Sequence, residues 1–94
     1  MARQNHLGKV ATTIRTENGR TIVRYHKTDI VSFNAESIIL DSEGWKTQTT
    51  KLRMNQASNQ FELGYTVFQK DGEWFVRLES GNDFEFQYGM VIYR

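Results

Sequence analysis

The chain contains no cysteine and no proline. Without thiols it has no disulfide, no thiolate zinc site, no iron–sulfur ligation and no cysteine nucleophile. No proline-marked linker, internal repeat or low-complexity run divides it. Nor is there an excess of charge of one sign: 12 Lys and Arg stand against 11 Asp and Glu, a formal net charge of +1. Sequence-independent nucleic-acid binders usually carry a marked cationic excess, and proteins that imitate DNA an anionic one. Any electrostatic function must therefore come from local clustering. No apolar stretch is long enough to span a bilayer, and Met1-Ala2-Arg3-Gln4-Asn5-His6 lacks the apolar core of a signal peptide. The expectation is a cytoplasmic protein without a membrane partner.

What is present fits one small unit. Ninety-four residues are too few for two independent cores, so a single domain over residues 1–94 is expected, with residues 1–7 mobile. Two Trp, four Tyr and six Phe promise an aromatic-rich core, because large rings bury much area per ordered residue. A chain this short gains stability from further buried surface, which predicts a homo-oligomer.

Two turn signals set the strand pattern. Asn18-Gly19 separates the alternating runs Val10–Thr16 and Thr21–His26, and Asp71-Gly72 separates Tyr65–Lys70 from Glu73–Glu79. Such dipeptides suit the positive φ of two-residue hairpin turns. The first turn pairs Glu17 with Arg20, sets Ile14 opposite Val23, Thr12 opposite Tyr25 and Val10 opposite Lys27, and leaves Arg15, Thr13, Arg24 and His26 on a polar face. The second pairs Lys70 with Glu73, puts Tyr65, Val67, Trp74, Val76 and Leu78 on one face, and leaves Phe68 with Phe75 on the other. Asp29–Phe33 and Ser37–Asp41 read as short strands, ended by Ser42-Glu43-Gly44. Phe84–Tyr93 reads as a last strand kinked at Gly89.

Between them, from about residue 49 to 61, alternation gives way to the helical period. Thr50, Met54, Ala57 and Phe61 form one stripe, Arg53, Gln56 and Gln60 flank it, and Leu52, Asn55 and Asn59 lie on the far side. Gly64 is placed to stop the helix. The fold class expected is α+β: a twisted, mainly antiparallel sheet of two hairpins plus extra strands with one amphipathic helix, or the same strands curled into a small barrel.

Catalytic chemistry is not nominated. His6 and His26 are too far apart to form a helical metal pair, and the carboxylates mostly flank turns, so neither a metal, a cofactor nor an enzymatic activity is expected. His26 could work with Asp29 or touch a phosphate, or be a hydrogen-bonded structural residue. The stretch from Thr47 to Gln56 is the most informative. Threonines can cap helix amides, yet Lys51 and Arg53 sit near the positive end of the helix dipole, where acids are preferred. That inversion suits an anion site, and equally a solvated cationic face with Arg53 bonded to a strand. The candidate ligand-binding residues are Arg24, His26, Thr47, Thr49, Thr50, Lys51, Arg53 and Gln56. No P-loop glycines accompany them, which argues against nucleotide hydrolysis. Trp45 is placed to stack on a base or to close the core.

The strings Arg24–Val31, Ile39–Thr47, Thr49–Gln56 and Val67–Val76 resemble small accessory proteins of tailed phages and mobile elements, over about residues 20–76. The resemblance carries no activity with it. It implies a context in the host cytoplasm, where such proteins bind a host protein or sequester a nucleotide signal, sometimes against host defence. The reading is a non-enzymatic accessory binding protein for an anionic ligand such as a nucleotide. The alternatives are an inhibitor that binds a host protein directly and a small single-strand nucleic-acid binder, for which Arg15 and Arg24 on a sheet face would serve.

Overall fold

The computed structural model describes residues 11–42 and 47–94, and eight strands and one helix lie within them. In chain order these are β1 (Thr12–Glu17), β2 (Arg20–Tyr25), β3 (Thr28–Phe33), β4 (Ser37–Leu40), α1 (Gln48–Phe61), β5 (Tyr65–Lys70), β6 (Glu73–Leu78), β7 (Asp83–Glu85) and β8 (Met90–Tyr93). The strands make two antiparallel sheets, one ordered β1-β2-β3-β4-β8 and the other β5-β6-β7. The α+β class is as expected, but the strands divide into two sheets.

Both hairpin turns form where the dipeptides demand them. Asn18 and Gly19 have φ of 51° and 80°, and Asp71 and Gly72 have 53° and 81°, the left-handed pair that a type I′ turn requires. Register follows from the turns: Glu17 faces Arg20, Ile14 faces Val23 and Thr12 faces Tyr25, while Lys70 faces Glu73. The expected pairing of Val10 with Lys27, the mobility of residues 1–7, His6, the strand stop at Glu43-Gly44 and the placement of Trp45 all lie outside the described residues. Ile14 departs from its expected place in the core and is 46% exposed. It sits on an edge strand, and the helix packs against β2, β3 and β5 instead.

A bulge between β2 and β3 shapes the middle of the large sheet. Val23 pairs with Val31, but the next residue, Arg24, pairs with Asp29, so Ile30 is left over. The extra residue breaks the two-residue alternation and lets Ile30 and Val31, neighbours in sequence, both enter the core,. The polar face is restored beyond it, with Asp29 beside Arg24.

A threonine caps the helix, as the sequence suggested without singling one out: Thr47 has extended backbone, its hydroxyl accepts the Thr50 N–H, and the helix starts at Gln48, one residue before the expected start,. The stripe of Thr50, Met54 and Ala57 is fully buried, with Phe61 partly so against Phe33. Two expectations are corrected here. The helix stops at Glu62, whose φ is 54° and whose N–H bonds the Ser58 carbonyl, and Gly64 lies two residues further on. Asn55, expected on the far side of the helix from the stripe, is bonded to β5: its carboxamide donates to the Val67 carbonyl (2.9 Å) and accepts the Val67 N–H (2.7 Å). One turn later the Ser58 hydroxyl does the same for Tyr65. The outer edge of β5 is thus satisfied by helix side chains in place of another strand.

The tail is the largest departure from the sequence reading. Phe84–Tyr93 is not one kinked strand. β7 ends the small sheet at Glu85, Phe86 bonds back to Trp74 and packs on its ring, and the chain turns through Gly89, φ 71°, to place β8 beside β4 in the large sheet. One buried cluster joins both sheets to the helix, from Val23, Ile38 and Leu40 through Met54 to Trp74, Val76 and Phe86. No helix among the described residues is long and apolar enough to cross a membrane.

Candidate functional site

The end of the β2–β3 hairpin and the start of α1 meet at a groove of about 1010 Å³, lined by Ala11, Thr13, Arg24, Tyr25, His26, Lys27, Thr28, Ile30, Thr47 and Thr50. Its walls come from elements far apart in sequence. Tyr25 pairs with Thr28 across a two-residue turn, which carries His26 and Lys27 at the tip. His26 has a φ of 58°, uncommon for a residue with a side chain, and its N–H bonds the carbonyl of Ala11, whose φ is 54°,. The His26 and Tyr25 rings lie 4.3 Å apart. At the helix side the Thr47 and Thr50 hydroxyls are 3.0 Å from one another.

Chemically the groove is an apolar trough with a polar, cationic rim. The half-buried Tyr25 ring supplies aromatic surface over the buried Ile30, the threonines supply hydroxyls that both donate and accept, and Arg24 and Lys27 supply positive charge,. No carboxylate is among the described lining residues, but Asp29 behind them offsets much of the Arg24 charge, so the local attraction for an anion comes chiefly from Lys27 and the hydroxyls,.

Arg24 is held in place from behind. Asp29 accepts from Arg24 Nε at 2.8 Å and from both terminal nitrogens of Arg15, at 3.2 and 3.0 Å, while Arg15 also reaches Glu17. The cluster therefore ties β1, β2 and β3 together. Hydrogen bonding from Arg15 draws the Asp29 carboxyl below its ordinary range, against desolvation that pushes it up, with Arg24 adding to the lowering,. The same carboxylate raises the Arg15 guanidinium.

Of the residues expected to bind a ligand, Arg24, His26, Thr47 and Thr50 are brought together, and Thr49 is half-buried beside them on the helix. Lys51, Arg53 and Gln56 do not line the groove. The Lys51 ammonium lies 6.0 Å from the Trp74 ring centroid. Arg53 is buried, donates to Thr12 Oγ1 at 3.1 Å and to Gln56 Oε1 at 3.0 Å, and lies 5.8 Å from the Tyr25 ring centroid. The two helix cations therefore do not converge on one anion, and Arg53 is bonded into the sheet, the structural alternative seen in the sequence. Sequence reasoning missed Tyr25, Lys27, Thr28 and Ile30. The two-residue spacing between Tyr25 and Thr28 was the available signal for a turn there, but neither turn residue is glycine or asparagine.

Outside the groove, a shallower depression lies between Ser58, Glu62, Gly64, Arg77 and Glu79. Among the described residues no group of three or more His, Cys, Asp or Glu side chains is arranged to hold a metal ion.

A family model described as Kyanoviridae Gp96 protein matches residues 1–93. No curated protein and no solved structure matches the chain. Since the family match runs over nearly the whole length, the protein belongs to the Kyanoviridae Gp96 family, a family of phage proteins.

Proposed function

We propose that the protein is a non-enzymatic phage accessory module that binds an anionic, ring-bearing small molecule, such as a nucleotide or a nucleotide signal, in the groove between the β2–β3 turn and the start of α1. The observation that supports this is the composition of the groove lining: the Tyr25 ring, two cations, four threonines and no carboxylate among the described residues. A planar ring gains from packing against the half-buried Tyr25 ring, and an acidic group gains from Lys27, Arg24 and the threonine hydroxyls,. Among the described residues the lining offers groups that hold an anion and pack on a ring, which supports a binding role,. Sequestering such a signal against a host defence would be the biological use of that receptor.

Thermal unfolding against a panel of mono-, di- and cyclic nucleotides and short oligonucleotides tests the proposal. A ligand present at about 100 times its Kd stabilises the folded state by about 2.7 kcal/mol. The double variant His26→Asn with Lys27→Ala keeps a residue that tolerates positive φ at position 26 while removing the imidazole and the ammonium. It should unfold at the same temperature without ligand and lose the ligand-induced shift. If no compound shifts the unmutated protein, or the variant responds equally, the groove is not an anion receptor.

A further inference from the structure

Two sheets have four outer edges, and an unpaired edge is a template for another strand unless it is blocked. Three of the four are blocked here. β1 carries the charged pair Arg15 and Glu17, 3.0 Å apart. β5 has its outward backbone groups at Tyr65 and Val67 satisfied by Ser58 and Asn55. β7 is three residues long, and two of them are acids. The fourth edge, β8, reads Met90-Val91-Ile92-Tyr93 and has none of these devices.

The geometry of β8 says which groups are free. Arg94 N–H bonds the Glu36 carbonyl at 2.9 Å, and Ile92 and Met90 face Ile38 and Leu40 in the same phase of the ladder. Antiparallel alternation then turns the N–H and C=O groups of Val91 and Tyr93 away from β4, towards the open side. The side chains of these same two residues are exposed, Val91 by 43% and Tyr93 by 81%.

We propose that β8 is the dimerisation strand, pairing antiparallel with β8 of a second copy about a twofold axis through Ile92. This register is self-complementary. It sets Val91 opposite Tyr93 of the second copy and Tyr93 opposite its Val91, so that every outward N–H and C=O of the two residues finds a partner. It also places β-branched against aromatic side chains on the outer face and Ile92 against its own copy on the inner one. The large sheet becomes continuous across the dimer. A second copy is favoured over a foreign strand because Met90–Tyr93 carries no charged side chain and meets the side-chain and hydrogen-bond requirements of its own sequence. The contact is short, so the association is concentration-dependent.

Sedimentation and light scattering across a concentration series should show the mass rising from one chain to two. Val91→Pro removes an N–H that makes no bond within the monomer, and should weaken association about tenfold or more with unchanged circular dichroism, as two backbone hydrogen bonds per dimer are lost. A charge exchange tests the register without proline: Val91→Glu with Tyr93→Glu, and Val91→Lys with Tyr93→Lys, should each be monomeric alone and pair with one another when mixed. A protein that stays monomeric at every concentration overturns the proposal, as does undiminished dimerisation of a folded Val91→Pro variant or failure of the two folded charge variants to associate.

Discussion

Arg53 shows how far a side chain can depart from the cost its sequence position suggests. On a helix flank it counts as a surface charge, but it is 8% exposed, and its bonds run to a hydroxyl, a carboxamide and the neighbourhood of an aromatic face, with no carboxylate. Burying an ion without a counter-ion costs several kcal/mol, partly offset by such neutral partners. Arg53→Met keeps much of the stem and removes the charge, so it should leave urea stability unchanged or raise it, by up to about 4 kcal/mol. Arg53→Ala, which also discards the packed stem, should be the less stable of the two. Gly72 poses the opposite case, because nothing lies near the position a Cβ would take and its φ of 81° alone sets the cost. Gly72→Val should therefore lose about 1–2 kcal/mol from backbone strain in denaturant unfolding, and Gly19→Val, equally open at φ 80°, should lose a similar amount.

At the scale of elements, two side-chain devices replace backbone pairing. Ser58 sits buried between helix and strand, and its hydroxyl serves both the N–H and the C=O of Tyr65. Ser58→Ala leaves those groups without that partner and should cost about 1–3 kcal/mol in urea unfolding. Asp29 is the other device, since its carboxylate holds arginines from β1 and β2 against β3. Its folded pKa lies below the ordinary 3.8, chiefly through Arg15. A depressed carboxyl contributes fully above the unfolded value and loses that contribution as pH falls through the folded one. Acidification below about pH 4 should therefore weaken the native protein more steeply than Asp29→Asn, and melting temperatures across that range will show it. The partner strands remain paired through their backbones, so the effect is a slope and not a collapse.

For the whole molecule, the two sheets share a core through the segment after β7. Phe86 is 4% exposed, packs on Trp74 and ties the small sheet to the strand that closes the large one. Phe86→Ala should cost about 3–5 kcal/mol, a large fraction of the total stability of a domain of this size. Its neighbour Phe84, two residues earlier and 49% exposed, should tolerate alanine with a much smaller loss. Calorimetry of both variants compares them directly. If the Phe86 substitution melts the sheets in separate transitions, the shared core is what makes them one cooperative unit.

Local chemistry was enough to determine the two hairpins, their turn registers, a threonine cap before α1 and the buried stripe of that helix, because positive φ, alternation and the helical period are properties of neighbouring residues. The left-handed residue at Glu62 escaped that logic, since a glycine two places on offered the cheaper stop. Tertiary structure decided the rest. Whether Phe84–Tyr93 continued as one strand or crossed between sheets depended on which edges, Trp74 on one side and β4 on the other, were available to pair. Whether Asn55 faced water depended on β5 arriving beside it. The groove exists because the β2–β3 turn and the helix start, some twenty residues apart in sequence, are packed against one core. No local pattern encodes that meeting, because the free energy that enforces it is the burial of Ile30, Val31, Met54 and Ala57 together,.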